Sequence, residues 1–339
     1  NEDKDVRRHA VRALGGIGRG ARDAVAALVG ADPAEVVFTS GGSEANNLAL
    51  RGCGRRVMVS AVEHDSVFSA TEDPLSIPVD GQGLVDIEAL EKMLAARNAE
   101  GPPAVVSVML ANNETGVVQP VAAVAKAAHG RGALVHCDAV QAAGKIPVDM
   151  AALDVDMLSV SAHKIGGAPG VGALAVLDHV ELEPIARGGG QERGLRGGTF
   201  NAPGIVGFGV AADLAGQGLD DFAGLSALRD DLERNVLEMA PQAVIFGGRA
   251  ARLPNTSCFA TPGIDNDVQV MALDRAGVAV SAGSACSSGK VKASHVLTAM
   301  GVGDGLAARA IRVSLGWTSS KSGVARFLEA WGGLCARRQ

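Results

Sequence analysis

The sequence contains no Cys-x-x-Cys pair, and no apolar run in it is long enough to span a bilayer. Its cysteines lie far apart, at Cys53, Cys137, Cys258, Cys286 and Cys335. This spacing is typical neither of a disulfide framework nor of a zinc knuckle, so no metal is expected. The first residues are mostly charged and precede no apolar segment, so no signal peptide is predicted. A reducing, cytoplasmic setting away from membranes is therefore the expectation.

An excess of positive charge is also missing. The formal net charge is -6, which argues against general nucleic-acid binding because phosphate groups require a basic surface. Apolar residues make up 47% of the chain and charged residues 20%, as in an ordinary globular enzyme. A length of 339 residues is enough for one large domain and a smaller one.

Short apolar runs rich in β-branched residues alternate with helical stretches through the first two thirds of the chain. The strand candidates are Glu35–Ser40, Arg56–Ala61, Ala104–Leu110, Ala133–Asp138 and Asp156–Ser161. Helical periods lie between several of them, as at Asp86–Arg97 and Val121–His129. This alternation predicts an α/β fold with a mostly parallel sheet that helices cover on both faces.

The pattern changes after the glycine-rich stretch Gly188–Gly198. A helical segment over about 222–239 is followed by strand candidates near Val244, Ser257, Val278 and Ile311. We therefore expect a boundary near Gly218, which would divide a large domain, residues 1–218, from a smaller α+β domain, residues 219–339.

Polar side chains follow five of the predicted strands. Because ligands of open α/β sheets bind beyond the carboxyl ends of the strands, these side chains mark the candidate site. They supply hydroxyl, imidazole, amide, carboxylate and amine groups, and they are Ser40–Ser43, His64, Asn112–Asn113, Asp138 with Gln141, and Ser161 with His163 and Lys164. A purely structural sheet has no need for such a collection.

Three of these features together match what a pyridoxal-phosphate (PLP) enzyme requires. Lys164 offers an amine for a Schiff base, and Asp138 a carboxylate that keeps the pyridine nitrogen protonated. The strand, glycine turn and helix at Thr39–Glu44, with Ser43 as the expected N-cap, would surround a phosphate with N–H groups. Taken singly, Asp138 could equally be the N-cap of a helix beginning in Ala139–Gly144, and an isolated lysine is usually a surface residue.

Cys286 and Arg312 are the candidates from the C-terminal part of the chain. Cys286 lies in Ser281–Gly289, whose small residues favour a mobile thiol-carrying loop over a packed core. Arg312 lies in the alternating run Ile311–Gly316, which suits either a solvated strand face or a guanidinium that holds a substrate carboxylate. His64 also has two possible roles, because it could be a structural hydrogen-bonding group or it could exchange protons beside a PLP ring.

These residues resemble the cysteine desulfurases of the NifS/IscS type, in the class V aminotransferase group of fold-type I PLP enzymes. The resemblance runs from about Val25 to Trp317. It rests on motifs in matching order, namely Phe38–Asn47, Glu63-His64, Asn112–Val118, His136–Gln141, Ser161–Gly166, Gly188–Thr199, Ser284–Ser288 and Ile311–Gly316. It implies a fold-type I PLP transferase with a large, mostly parallel sheet domain and a smaller α+β C-terminal domain.

The resemblance also implies how the cofactor would be held. Lys164 would form the covalent link to PLP and shuttle the Cα proton. Asp138 would pair with the pyridine nitrogen, Gln141 would contact the phenolic oxygen, and His64 would stack on the ring. The phosphate would be held by Ser43, Ser161 and His163, and by Thr199 from the other subunit of a homodimer.

The implied substrate is L-cysteine, whose carboxylate Asn113 and Arg312 would bind. Cys286 would attack the substrate sulfur, become a persulfide and leave alanine. The loop around Cys286 is similar to that of the longer-loop subgroup, whose members pass sulfur to an iron–sulfur scaffold protein.

Two departures from the family pattern stand out. Nothing in Asn1–Gly20 matches the Ala-Thr-Thr-Pro segment with which members usually begin, so a segment that borders the active site is expected to be missing here. Gln191 stands where a histidine is common. The alternatives to a cysteine desulfurase are a selenocysteine lyase or other class V lyase, and an inactive relative that serves as an assembly platform.

Overall fold

In the computed structural model, which describes residues 20–98, 103–282 and 294–336, seven strands form one mostly parallel sheet. The strands are β1 (Val36–Thr39), β2 (Val57–Ser60), β3 (Leu75–Ile77), β4 (Val105–Ser107), β5 (Leu134–Asp138), β6 (Met157–Ser161) and β7 (Gly172–Val176). They lie in the order β1-β7-β6-β5-β4-β2-β3. Only β7 runs against its neighbours, pairing antiparallel with both β1 and β6.

Side chains of these strands alternate between two apolar layers, as a buried parallel sheet requires. Val36 and Phe38 belong to one layer, together with helix residues 20–29 (α1), and Val37 belongs to the other. The first layer is also covered by α4 (Ile87–Asn98), α5 (Val121–His129) and α7 (Ala202–Gln217). The second is covered by α2 (Gly42–Gly52) and α3 (Asp65–Phe68). α6 (Met150–Leu153) precedes β6.

A second, smaller sheet is antiparallel throughout. Its strands are β8 (Val244–Ile245), β9 (Thr256–Ala260), β10 (Ser281–Ala282) and β11 (Ala310–Ser314), in the order β10-β11-β9-β8. The helices of this part are α8 (Leu219–Ala223), α9 (Leu225–Met239), α10 (Asn266–Arg275), α11 (His295–Ala299), α12 (Asp304–Ala307) and α13 (Lys321–Ala336). The ring of the fully buried Trp331 packs edge-on against Phe259 at 5.5 Å, and its indole nitrogen donates to Gln269 Oε1 at 3.0 Å.

The five predicted strands of the first part and the helices around Asp86–Arg97 and Val121–His129 are all present, within a few residues of their expected ends. Two strands, β3 and β7, were not predicted. β3 has a half-exposed and an exposed residue, and β7 reads Gly-Ala-Leu-Ala-Val, so neither shows a strong β-branched run. The division of the chain near Gly218 stays a prediction.

Other elements differ in detail from the expectation. Ala139–Gly144 forms successive turns and no helix, and the carboxylate of Asp138 accepts from the N–H of Val140 at their start. The single helix expected over 222–239 is divided at Gly224 into α8 and α9. The strand expected near Val278 begins at Ser281. No helix among the described residues is long and apolar enough to cross a bilayer.

Candidate active site

The carboxyl ends of five strands meet at one edge of the large sheet. β2, β4, β5 and β6 are parallel, and β1 has the same direction because β7 runs against both β1 and β6. The polar groups that follow these ends therefore lie along a single edge, where ligands of such sheets bind. This places the glycine turn after β1 and the residues His64, Asn113, Asp138 and Lys164 on the same side.

The turn after β1 leaves the first N–H groups of α2 without a side-chain cap. The N-cap is Gly41 and not Ser43, which instead lies within the first turn of the helix, so the expectation for Ser43 was wrong. A Cβ atom at Gly172 would lie 2.5 Å from the carbonyl carbon of Gly41, so only glycine at 172 allows this close approach. Uncapped N–H groups at a helix N-terminus bind phosphate well.

Asp138 ends β5 with its carboxylate buried. Oδ1 accepts from the N–H of Val140 at 2.9 Å and Oδ2 accepts from Asn46 Nδ2 at 2.8 Å. Burial raises the pKa of Asp138, while the hydrogen bonds from Asn46 and Val140 and the charge of Lys164 limit the rise. A buried carboxylate of this kind is stabilised when a cation joins it.

Glu63 is a second, fully buried carboxyl behind this edge. One oxygen accepts from the N–H of Met109, and the other has no partner among the described residues. Burial, together with the charge of Asp138, raises the pKa of Glu63 well above its ordinary value. Burial therefore disfavours a charge on Glu63, and Asp138 is the carboxylate at the strand end that faces the site.

His64 follows β2 and forms the N-cap of the short helix α3. Its Nδ1 accepts from the N–H of Ser66 at 3.1 Å and lies 2.8 Å from Ser66 Oγ. Ser66 Oγ in turn accepts from Asn46 Nδ2 at 3.0 Å. The imidazole is therefore held at the same edge as Asp138 by residues of α2 and α3.

Lys164 lies at the end of a short 3-10 turn, Ala162–Lys164, directly after β6. Its side chain is exposed at the edge of the sheet. Beside it, Ser161 Oγ and His163 Nδ1 are 2.9 Å apart. Burial and then the charge of Lys164 lower the pKa of His163, so the ring is available as a neutral hydrogen-bonding group.

Gln141 is paired with a lysine that the sequence did not single out. Lys145 Nζ donates to Gln141 Oε1 at 2.9 Å. Burial, followed by the charges of Lys164 and Arg312, lowers the pKa of Lys145 to about 7. Because Oε1 is occupied, the NH₂ group of Gln141 remains for an acceptor in the site.

Arg312 reaches this edge from β11 of the small sheet. Its guanidinium donates to the carbonyl oxygen of Asn113 at 2.7 Å and to Ser281 Oγ at 3.3 Å. The Nε of Arg312 and the side-chain oxygen of Asn113 are buried and have no partner among the described residues. Buried polar atoms normally have a hydrogen-bond partner, so a polar ligand that reached these atoms would satisfy them.

Two ion pairs attach the glycine-rich segment to helices that cover the large sheet. Glu192 is buried and pairs with Arg22 at 2.9 Å, and Arg196 pairs with Glu44 of α2 at 2.9 Å. Burial raises the pKa of Glu44, but the hydrogen bonds from Arg196 and Ser40 outweigh burial and lower the pKa overall. Thr199 itself is exposed.

Cys286 lies outside the described residues. Ser294, the next described residue after that gap, donates from Oγ to the buried Glu114 Oε2 at 2.6 Å. Burial raises the pKa of Glu114 even though this bond opposes the rise. The chain that follows the gap is therefore bound to the turn after β4, next to Asn113.

Residues 8–327 match the family described as aminotransferase class-V. The chain belongs to this family. It is 46% identical over 91% of its length to "Cysteine desulfurase" of Cereibacter sphaeroides, of which it covers 82%. It is 42% identical over 96% of its length to "Cysteine desulfurase" of Gluconacetobacter diazotrophicus, of which it covers 84%. A solved NifS-like protein from Rickettsia africae is 33% identical, with a TM-score of 0.87, and covers 96% of this chain against 89% of its own.

PLP is the cofactor of this class V protein, and the described residues fit it. The buried carboxylate of Asp138, the uncapped N–H groups of α2 and the exposed amine of Lys164 correspond in chemistry to a pyridinium, a phosphate and an aldehyde. The fold expectation, a fold-type I enzyme with a large, mostly parallel sheet and a smaller second sheet, is confirmed.

Sequence reasoning missed Asn46, Ser66 and Lys145 in this class V site. Asn46 had a signal, because it lies on the buried face of α2 next to Ala45 and Ala49, where a polar side chain interrupts an apolar surface. Ser66 and Lys145 had no comparable signal, since a serine in a short helix and a lysine after a turn are common.

Proposed function

We propose that this protein is a cysteine desulfurase, which converts L-cysteine to L-alanine and keeps the sulfur as a persulfide on Cys286. The observation that carries the proposal is the meeting of Lys164, Asp138 and the uncapped α2 turn at one sheet edge. Relatives that carry this name at 42% and 46% identity support it. When bound, PLP supplies an electron sink for the charge that develops at the substrate Cα.

The cofactor would be positioned from several strand ends. Lys164 attaches it covalently, and Asp138 meets the pyridine nitrogen. The NH₂ group of Gln141 donates to the phenolic oxygen, because Lys145 occupies the other end of that amide. The phosphate is held by the N-terminus of α2 and by Ser43, Ser161 and His163.

The substrate carboxylate would be bound by the guanidinium of Arg312, whose buried Nε lacks a partner among the described residues, and by the amide NH₂ group of Asn113. A guanidinium suits this task because its N–H groups match the two carboxylate oxygens. Lys164 Nζ takes the Cα proton, and His64 lies beside the ring. Each of these roles is part of the proposal.

Sulfur transfer would take place at Cys286. Its thiolate attacks the substrate sulfur, so an S–S bond forms as the C–S bond breaks. The electron pair of the C–S bond stays on the substrate Cβ, which takes up a proton and leaves as alanine. We propose that an iron–sulfur scaffold protein in the cytoplasm then accepts the sulfur, since the loop Ser281–Lys290 is similar to that of the longer-loop desulfurases.

We also propose that the active unit is a homodimer in which Thr199 reaches the phosphate of the other subunit. The exposed position of Thr199 supports this arrangement, as does a stripe of exposed apolar side chains along α7. The stripe consists of Val206, Val210 and Leu214, which are 37%, 56% and 59% exposed. Mixing Lys164→Ala with Thr199→Ala chains should restore activity above either parent, whereas an active monomer in sedimentation would contradict the proposal.

Incubation with L-cysteine, PLP and a thiol reductant tests the function. We expect alanine and sulfide in equal amounts from a yellow protein. Lys164→Ala should be colourless after dialysis and inactive, while Lys126→Ala, which removes an exposed lysine of α5, should match the wild type. A colourless wild-type protein would favour an assembly platform, and release of selenium from selenocysteine without reaction of cysteine would favour a selenocysteine lyase.

A further inference from the structure

Asn46 and Ser66 connect Asp138 to His64 by hydrogen bonds. Asn46 Nδ2 donates to Asp138 Oδ2 at 2.8 Å and to Ser66 Oγ at 3.0 Å. Ser66 Oγ lies 2.8 Å from His64 Nδ1. The carboxylate proposed for the pyridine nitrogen and the imidazole proposed for the ring face are therefore parts of one network.

The direction of the first bond is set by Asp138. Asn46 is 1% exposed, and turning its amide round would place Oδ1 against the carboxylate oxygen of Asp138. Two acceptors cannot share a hydrogen bond, so the NH₂ group faces both Asp138 and Ser66. In agreement, Asn46 Oδ1 has no partner in the described part of the chain.

The state of His64 follows from Ser66. The Ser66 hydroxyl accepts from Asn46, which leaves its own proton for His64 Nδ1. The main-chain N–H of Ser66 points at the same nitrogen at 3.1 Å and can only donate. Nδ1 must therefore carry a lone pair, and in a neutral imidazole the proton is then on Nε2.

We propose that Asn46 and Ser66 are positioning residues that hold His64 with its proton on Nε2, so that His64 donates hydrogen bonds to the cofactor or substrate and does not accept the Cα proton. The catalytic part of this inference rests on the proposed function, whereas the position of the proton rests on the hydrogen bonds alone.

The division of labour between His64 and Lys164 follows. To accept a proton, His64 would have to use Nδ1, which would then face the N–H of Ser66 and lose that bond. Nε2 has no partner among the described residues and already carries a proton, so it can only donate. This leaves the amine of Lys164 to move the Cα proton.

Nitrogen NMR of the PLP-loaded protein, labelled with ¹⁵N in its histidines, tests the proposal. The signals of His64 are assigned by their loss in His64→Gln. We expect the chemical shift of an unprotonated nitrogen for Nδ1 and of a protonated one for Nε2. A protonated Nδ1 in the wild-type protein would overturn the proposal.

Ser66 variants test the positioning role. In Ser66→Ala the main-chain donor remains and the hydroxyl is lost, so we expect Nδ1 to stay unprotonated but its signal to move further from the protonated position, because one of its two hydrogen bonds is gone. We expect kcat/KM for cysteine to fall about tenfold, the equivalent of one hydrogen bond. Ser66→Thr keeps the hydroxyl and should restore both values. Ser69→Ala, which removes an exposed hydroxyl at the end of α3, should change neither.

The outcomes separate this inference from the proposed function. An inactive protein with Nε2 protonated would refute the desulfurase proposal and leave the network assignment standing. An active protein in which Ser66→Ala changes neither the NMR signals nor kcat/KM would refute the positioning role and leave the function standing.

Discussion

The guanidinium of Arg312 donates to the main-chain carbonyl oxygen of Asn113 at 2.7 Å, although 199 residues separate the two in the chain. Arg312 belongs to β11 of the small sheet, and Asn113 follows β4 of the large one. This bond joins the two sheets at the proposed substrate site. The bond holds the guanidinium in place through Nη1, and the N–H of Nε remains available to a ligand.

Arg312→Lys should impair cysteine binding more than turnover. Lysine keeps the positive charge but cannot reach a carboxylate and the Asn113 carbonyl with a planar fork. We expect KM for cysteine to rise about tenfold or more, which corresponds to the loss of one charge-assisted bond. Steady-state alanine formation measures it. Arg309→Lys, at an arginine just before β11 whose side chain is 34% exposed, is the control, and an equal effect of both variants would contradict the assignment.

Cys286→Ser should stop sulfur transfer while substrate still binds. A serine hydroxyl is not ionised near neutral pH and cannot replace a thiolate nucleophile, so alanine release should fall more than about 100-fold. Wild-type protein treated with cysteine should gain a persulfide mass on the Cys286 peptide. Cys53→Ser is the control because burial raises the pKa of the Cys53 thiol and disfavours its thiolate. A persulfide on Cys53 would remove Cys286 from the mechanism.

Lys145→Met should stabilise the cofactor-free protein more at pH 7 than at pH 10. The pKa of Lys145 is lowered from 10.5 to about 7, so between these values the unfolded chain binds a proton that the folded protein does not. The free energy of unfolding of the wild-type protein therefore falls by about 3 kcal/mol between pH 10 and pH 7. The variant lacks the lysine and should not show this decrease. Urea unfolding at both pH values measures the difference, with Lys126→Met as the exposed control. An equal change at both pH values would contradict it.

His136→Gln should reduce the loss of stability in acid. His136 is buried between Ser107 Oγ and Ser159 Oγ, each at 2.9 Å, and burial lowers its pKa from 6.5 to about 3. As pH falls below 6.5 the unfolded chain takes up a proton that the folded protein cannot, which costs about 3 kcal/mol by pH 4. Unfolding at pH 7 and pH 4 should show a smaller difference for the variant. His179→Gln, which replaces an exposed histidine, serves as the control. If His136→Gln lost as much stability between pH 7 and pH 4 as the wild type, burial of His136 would not be the cause of the acid sensitivity.

Much of the fold could be predicted because the signals are local. Continuous apolar runs identify β1, β2, β4, β5 and β6, because both faces of a parallel sheet are buried. β7 was not predicted because its residues are small and lack a β-branched run. At least Gly172 has to be small because it lies against Gly41, and this contact exists only in the folded protein. The N-cap was misassigned for a related reason, since Ser43 is locally preferred but the turn closes at Gly41.

The sequence by itself determined which groups stand at the carboxyl ends of the strands, because apolar runs locate the strands and the helices between them imply that the strands are parallel. Lys164 and Asp138 could therefore be predicted as cofactor residues before any contact was known. Only the tertiary structure decided that Asn46 bonds Asp138 across 92 residues and that the half-buried Lys145 lies where the charge of Lys164 lowers its pKa. Hydrogen-bond direction and pKa depend on burial and on neighbours that packing brings together, and no local pattern of residues encodes them.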